Sequence, residues 1–253
     1  MTRDAAVFAA IATAATAVWL ALYRLPLRRP RTRQRVRLAV ATRTGLPGRY
    51  VFPILGTLIY LAGGVLASIA VMYAGDVSLA GLLAWRVTPH GIGLLLLTAV
   101  GASALTAFAM STLYALRPRI DVPGAVTTVR WITEILALPR LWRYAVPATS
   151  AVVEEFFFRG AFLGGLLATG TPVWAAIAIS GAVFTLGQVL LTETALQATV
   201  LALSSVVLAV VCGLLVVVQG SVLPAIVVHA SFAAYYTQTS ARRAAPVAAA
   251  VPR

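Results

Sequence analysis

The chain has 253 residues, of which 60% are apolar and 11% are charged, and its mean hydropathy is +0.92. A soluble domain has about 45–50% apolar and 25% charged residues, and a disordered chain lacks hydrophobic residues, so the composition excludes both classes. The formal charge is +13, all 20 basic residues are arginine, and a single cysteine excludes an internal disulfide framework. A basic excess fits nucleic acid or an anionic membrane surface, and the hydropathy favours the membrane.

Seven segments are apolar and long enough to cross a bilayer as helices, which takes about 20 residues each. In chain order they are Ala5–Tyr23, Val51–Tyr73, Gly91–Leu116, Ala145–Ala168, Val173–Leu191, Leu196–Val218 and Ser221–Tyr236. The first has little basic charge before it and much after it, as in a retained anchor rather than a signal peptide. The sequence therefore predicts an all-α polytopic membrane helix bundle with about seven transmembrane helices.

The arginines predict the orientation of this bundle. Nine lie between Arg24 and Arg49, five between Arg117 and Arg143, and three in the C-terminal tail. With seven spans these segments share one side, which the positive-inside rule places in the cytoplasm. The N-terminus is then outside and the C-terminus cytoplasmic. The Arg-rich, Lys-free composition is typical of a GC-rich bacterial genome, so we expect a bacterial plasma membrane protein.

The chain divides into three predicted regions. Residues 1–144 hold the N-terminal spans and basic cytoplasmic segments, 145–240 hold the core helices, and 241–253 form a disordered cytoplasmic tail. The segment Thr127–Tyr144 predicts an interfacial amphipathic helix, and the alternative is a connector that caps the bundle. The basic segment Arg24–Arg49 is either an anionic-lipid contact or only a topology determinant, and no nucleic-acid partner is expected.

The fourth span carries charge inside an apolar helix, where burial is expensive and usually serves a site. Glu155 and Arg159 are four residues apart, so they share a helix face and can pair. Glu154 is turned about 100° away along the helix and has no local partner. The pattern fits a carboxylate positioned for base chemistry. It fits a structural ion pair between helices equally well.

Two further spans add one polar residue each. Gln188 lies in the fifth span and His229 in the seventh, and each alone is also explained as a hydrogen-bonded packing residue. Because every isolated polar group in a span is costly, the groups are best satisfied together. We therefore predict that Glu154, Gln188 and His229 meet in one pocket, with Glu155 and Arg159 forming a wall.

The sequence lacks the residues that the other known classes of intramembrane hydrolase use for catalysis. The two histidines, His90 and His229, are too few for a catalytic zinc, which usually takes three protein ligands. Ser180 lacks the preceding glycine of a nucleophile turn, Cys212 has no basic neighbour that favours a thiolate, and the three aspartates lie outside the spans. A glutamate that activates water with help from histidine remains, so no metal and no cofactor are expected.

The pattern Glu154-Glu155-x-x-x-Arg159, followed by Phe184-x-x-x-Gln188 and His229-x-x-x-Ala233, resembles the three motifs of a known family. This is the family of CAAX-protease and bacteriocin-processing (CPBP) intramembrane endopeptidases, which includes the type II CAAX prenyl endopeptidases. The resemblance covers about residues 145–236 and includes Gly220, Ser221 and Pro224 before the last motif.

The resemblance implies a protease that cuts a membrane-associated peptide or protein by glutamate-activated water, without a covalent intermediate or a metal. By it, Glu154 is the general base, and Glu155 and Arg159 form the supporting pair. Phe184 is the packing residue that opens the second motif. His229 positions water or stabilises the oxyanion.

Two positions depart from the family pattern, since Gln188 replaces the expected histidine and Ala233 the expected asparagine or aspartate. An amide cannot take a proton at neutral pH and alanine has no polar group. Three functions therefore stay open: a CPBP-type endopeptidase with weak turnover, a catalytically impaired homologue that binds a membrane peptide in immunity or regulation, and a transporter-like bundle.

Overall fold

The computed structural model describes residues 2–25 and 29–249, and it describes the side chains of these residues except 123 and 238–249. Throughout this part of the chain the regular elements are helices. In chain order they are α1 (Arg3–Arg24), α2 (Pro30–Thr44), α3 (Gly48–Ala74), α4 (Leu79–Leu83), α5 (Pro89–Leu116), α6 (Val122–Thr127), α7 (Arg130–Leu136), α8 (Trp142–Glu155), a π-helical turn (Phe156–Phe162), α9 (Leu163–Ala168), α10 (Val173–Leu190), α11 (Ala195–Gln219) and α12 (Leu223–Ala249).

Five helices in the described residues, α1, α3, α5, α10 and α11, are long and apolar enough to cross a membrane. The fourth predicted span corresponds to α8, the π-helical turn and α9, and the seventh lies within α12. The prediction of an all-α polytopic membrane bundle is thus confirmed. The total of seven spans stays a prediction, because the fourth segment carries three charged residues and changes helix type partway.

Local signals in the sequence define the helix ends. α11 begins with a capping box, in which the Thr194 hydroxyl accepts from the Gln197 backbone N–H and the Gln197 side chain accepts from the Thr194 backbone N–H. It ends at Gly220, whose φ of +66° lies in the left-handed region that glycine adopts without a steric penalty. The sharp turn there returns the chain into α12.

Aromatic side chains fill the centre of the bundle. Trp19 on α1 is buried and packs edge-on against Phe157, with ring centroids 5.4 Å apart. Phe158 contacts Phe184 on α10 at a centroid distance of 5.1 Å. These edge-to-face contacts suit the ring quadrupoles. They link α1, the π-helical turn and α10 into one core, so the N-terminal region packs directly on the core helices.

Charged residues join three loop regions at one end of the bundle. Arg33 on α2 lies 2.6 Å from a carboxylate oxygen of Glu134 on α7. Arg130, at the start of α7, lies 2.8 Å from Glu193, between α10 and α11. The segments before α3, before α8 and before α11 therefore share this end.

A second set of contacts joins loops at another end. Ser221 donates from Oγ to the backbone oxygen of Leu82 on α4 at 2.9 Å. Trp85 donates from Nε1 to the side-chain oxygen of Gln219 at 3.3 Å, and Gln219 donates to the backbone oxygen of Gly91 at 3.1 Å. The α4 region, the start of α5 and the α11–α12 turn therefore lie together.

The segment predicted as an interfacial helix is not a single helix. Its regular part, α7, has seven residues, and α8 begins only after Pro139, which has no backbone N–H to continue the hydrogen-bond ladder. Ile132 and Ile135 are buried, and Ile135 packs with Leu138 and Val146 inside the protein. These contacts fit the alternative prediction of a connector that caps the bundle.

The C-terminal segment differs in part from the predicted disordered tail. The backbone of α12 stays helical to Ala249, which agrees with the high helix propensity of an alanine-rich sequence. The remaining tail, residues 250–253, lies outside the described residues. The predicted boundaries at 144/145 and 240/241 stay predictions.

Candidate active site

The charged motif lies where α8 changes into the π-helical turn. Glu154 and Glu155 are the last residues of α8, and Arg159 lies within the turn. All three side chains are buried, and the residues are 8%, 0% and 2% exposed. Single π-helical turns inside α-helices are frequent at functional sites. The sequence did not predict this turn.

Glu155 binds two cationic or polar partners through the same oxygen. Its Oε1 lies 3.2 Å from Nη1 of Arg159 and 2.7 Å from Nδ1 of His229. Because a carboxylate only accepts hydrogen bonds, the Nδ1–H of His229 donates to Glu155. The other ring nitrogen of His229, Nε2, is thereby directed toward Glu154. The predicted Glu155–Arg159 pair is present, and it extends to a residue 74 positions after Glu155.

Glu154 is surrounded by polar groups from three other helices. Its Oε1 accepts a hydrogen bond of 2.6 Å from the hydroxyl of Tyr60 on α3. Its Oε2 accepts a hydrogen bond of 3.4 Å from Nε2 of Gln188 on α10, and it lies 3.8 Å from Nε2 of His229 on α12. The last distance is too long for a direct hydrogen bond. The structure thus brings Glu154, Gln188 and His229 together, as the sequence predicted.

Phe184 packs against both Arg159 and His229. The guanidinium carbon of Arg159 lies 4.3 Å from the centre of the Phe184 ring, within the range of a cation–π contact. The ring of His229 meets Phe184 edge-on, with centroids 5.9 Å apart. Phe184 itself is 1% exposed. It therefore restricts both Arg159 and His229 by packing.

A cavity of about 520 Å³ opens beside Glu154. Its walls are mostly apolar, and Glu154, Phe184, Gln188, His229 and Ala233 are among the residues that line it. The prediction that Glu155 and Arg159 form a wall is wrong, because both side chains are fully buried and neither residue is part of the lining. Ala233 lies one turn after His229 and contributes a methyl group to the wall. A mostly apolar cavity with a few polar groups at one place is the usual form of a ligand site.

Sequence reasoning missed Tyr60. It lies 94 residues before Glu154, in a span without a recognised motif. The available signal was its hydroxyl, because a buried tyrosine O–H normally requires a hydrogen-bond partner. Trp19 was also missed, because it too lies in an apolar span without a recognised motif. Its Nε1 donates to the backbone oxygen of Tyr60 at 2.8 Å.

The donor set gives no metal site among residues 2–25 and 29–249, since no group of three or more His, Cys, Asp and Glu side chains there is suited to hold a metal ion. The expectation that no metal is used stays a prediction. In the described residues the site instead consists of the Glu154 carboxylate facing the Gln188 amide and the His229 imidazole.

Comparison with protein families gives a match for the C-terminal part of the chain. Residues 137–235 match the family model described as type II CAAX prenyl endopeptidase, Rce1-like. The match begins before α8 and ends within α12, so it includes all three motifs. The resemblance predicted from the motifs is thereby confirmed over this stretch, which supports a protein of the intramembrane endopeptidase kind. Comparisons with curated proteins and with solved structures give no match.

Proposed function

We propose that the protein is an intramembrane endopeptidase that hydrolyses peptide bonds of a membrane-associated protein with water activated by Glu154. One observation carries the proposal. Glu154, Gln188 and His229 come from three helices and meet at an apolar cavity within the family-matched stretch. Packing alone does not require three costly polar groups to converge on a space of this size.

The geometry supports a reaction without a covalent intermediate. With Nδ1–H bound to Glu155, neutral His229 presents Nε2 as an acceptor toward Glu154 Oε2. A water between these two atoms donates to both, and Glu154 removes a proton as the oxygen attacks the peptide carbonyl carbon. Glu154 then returns that proton to the leaving amine. Gln188 Nε2 provides an N–H group beside this position for the oxyanion.

A second candidate is a catalytically impaired homologue that binds a membrane peptide without cutting it. Two observations favour it. Gln188 cannot accept a proton as histidine does, and Ala233 brings no donor to the cavity wall. Loss of acid–base help costs about 10²–10⁴-fold in rate, and loss of one oxyanion donor about 10²–10³-fold. Under this second candidate function, the protein binds a peptide in the cavity and does not hydrolyse it.

The test is peptide hydrolysis by the purified full chain in liposomes, measured with a library of quenched fluorescent membrane peptides. We expect slow cleavage that Glu154→Gln abolishes, because the amide has nearly the same shape and cannot act as a base. The matched control is Glu193→Gln, at a half-exposed glutamate outside the cavity, and it should cut like the native chain. Cleavage that survives Glu154→Gln contradicts the proposed mechanism, and a folded native chain that binds peptides without cutting them supports the impaired homologue.

We also propose a bacterial plasma membrane location with the N-terminus outside and the C-terminus in the cytoplasm. The ion pairs Arg33–Glu134 and Arg130–Glu193 support the topology, since they join three segments that seven alternating spans place on the same side. The arginine excess in these segments assigns that side to the cytoplasm. Reporter fusions after Arg35, Asp76 and Arg130 should lie inside, outside and inside. A reversed reporter at one of these positions contradicts the orientation.

Anionic lipids are proposed as partners of the basic cytoplasmic segments, and nucleic acid is not. α2 carries five arginines, no acidic residue and no buried side chain, so most of its charge is available to lipid headgroups. Binding of the full chain to liposomes should rise with the fraction of anionic lipid and fall with salt. Equal binding to neutral and anionic liposomes contradicts this partner.

A further inference from the structure

We infer that Tyr60 is a positioning residue for Glu154, fixing one oxygen of the carboxylate so that the other faces Gln188 and His229. This inference deepens the proposed function and rests on it for its catalytic meaning. It assigns a role at the site to a residue outside the family-matched stretch, residues 137–235. Tyr60 touches the base, not the reacting bond.

The contact is short and shielded. The Tyr60 hydroxyl donates to Glu154 Oε1 at 2.6 Å, and 8% of each residue is exposed. A hydrogen bond to an ionised acceptor is stronger than a neutral one, and strongest where water does not compete. Glu154 Oε2 is left to Gln188 Nε2, at 3.4 Å, and to the region before His229 Nε2, at 3.8 Å. The two carboxylate oxygens therefore have separate partners.

Trp19 on α1 fixes Tyr60 through both its backbone and its ring. Trp19 on α1 donates from Nε1 to the Tyr60 backbone oxygen at 2.8 Å, and the two rings pack with centroids 4.8 Å apart. Trp19 can approach α3 because Gly63 and Gly64 lie beneath it. A Cβ at Gly63 would come within 2.8 Å of the Trp19 ring, and one at Gly64 within 2.6 Å. α1 and α3 thus form a rigid support for the tyrosine.

This support matters because the Tyr60 hydroxyl is what holds Glu154 Oε1 in the described part of the chain. Of the described residues, Tyr60 is the one whose side chain donates to that atom. Without it, the carboxylate can rotate about its terminal bond, since such sp³–sp² torsions are broad. A misplacement of about 1 Å in a catalytic group can cost about 10²-fold in rate. Rotation changes the chemical step, while the apolar cavity walls proposed to hold the substrate keep their shape, since the Tyr60 ring, which belongs to that wall, is retained in phenylalanine.

The kinetic experiment is Tyr60→Phe in the full chain, in the peptide assay described above. We expect kcat to fall about 10- to 100-fold while KM stays within about twofold. Tyr73→Phe is the matched control, because it makes the same change on the same helix at a side chain that is 91% exposed. The control should leave both constants unchanged. An unchanged kcat in Tyr60→Phe, or a rise in KM alone, overturns the inference.

An infrared measurement tests the same contact without turnover. The carboxylate stretch of Glu154 is assigned from the difference between the native chain and Glu154→Gln. We expect this band to shift in Tyr60→Phe and to stay in place in Tyr73→Phe. A band that does not move in Tyr60→Phe overturns the inference. If the native chain cuts no peptide but the band shifts, the proposed function fails while the positioning of Glu154 by Tyr60 stands.

Discussion

Removal of the Arg159 charge should destabilise the protein strongly, because it leaves Glu155 as a buried carboxylate without its arginine partner, held by the hydrogen bond from His229. The two side chains are 2% and 0% exposed, and their charged atoms lie 3.2 Å apart. Breaking a buried ion pair from one side costs about 3–5 kcal/mol. For a chain of this size that corresponds to a fall in Tm on the order of 10 °C.

The pair itself is expected to contribute much less than the cost of breaking it. In the described residues, Arg159 Nη1 and Nη2 and Glu155 Oε2 have no hydrogen-bond partner. A buried ion pair repays its desolvation only when further hydrogen bonds satisfy its remaining atoms. Neutralising both partners should therefore recover most of the stability that the single change loses.

The assay is thermal unfolding of the detergent-solubilised chain, followed by tryptophan fluorescence. Arg159→Met should lower Tm markedly. Glu155→Gln combined with Arg159→Met should recover about half of the loss or more, because the new amide oxygen can still accept the hydrogen bond from His229. Arg140→Met, at an exposed arginine, is the control. The argument is refuted if Arg159→Met is no more harmful than Arg140→Met, or if the double variant is as unstable as the single one.

Two more predictions concern the cavity wall and the core. Gln188→His together with Ala233→Asn should raise peptide hydrolysis by at least about 10²-fold, since histidine restores a proton acceptor and asparagine restores a hydrogen-bond donor beside Glu154. A folded double variant with unchanged hydrolysis contradicts these roles of the two positions. Gly165→Ala should lower the unfolding free energy by about 1–3 kcal/mol, because the new methyl group would overlap the Phe8 ring. Gly164→Ala, whose methyl group would meet Val77 at an ordinary 3.6 Å, is the control, and equal Tm values for the two variants would contradict the packing.

Much of the site was predictable because membrane burial makes polar residues conspicuous. Glu154, Gln188 and His229 each stood out in an apolar segment, so the cost of burial predicted that they meet. The Glu155–Arg159 pair followed from helical spacing alone. The Glu155–His229 hydrogen bond did not, because spacing along one helix carries no information about which atom of another helix it faces.

Other parts depend on tertiary contacts that no local pattern encodes. The π-helical turn over Phe156–Phe162 contains no proline, and its single glycine does not distinguish it from other apolar segments of this chain, so the sequence shows no sign of a change in helix type. Tyr60 looked like an ordinary aromatic residue of an apolar span until α3 was placed beside α8. The connector helix α7 was predicted too long, because its apolar residues pack on the protein and Pro139 interrupts the segment.

The two departures from the family pattern, Gln188 and Ala233, both line the cavity beside Glu154. Gln188 also donates to Glu154 Oε2, whereas Glu155 and Arg159 lie outside the lining and keep their ion pair, and Arg159 keeps its contact with Phe184. Keeping buried charges is costly, and apolar side chains of similar volume would often be as stable or more so. If the cavity had no function, replacing these charged side chains with apolar ones would leave the bundle as stable or more stable. Both proposed functions therefore require a cavity that binds a membrane peptide. They differ in whether Glu154 Oε2 can activate water there.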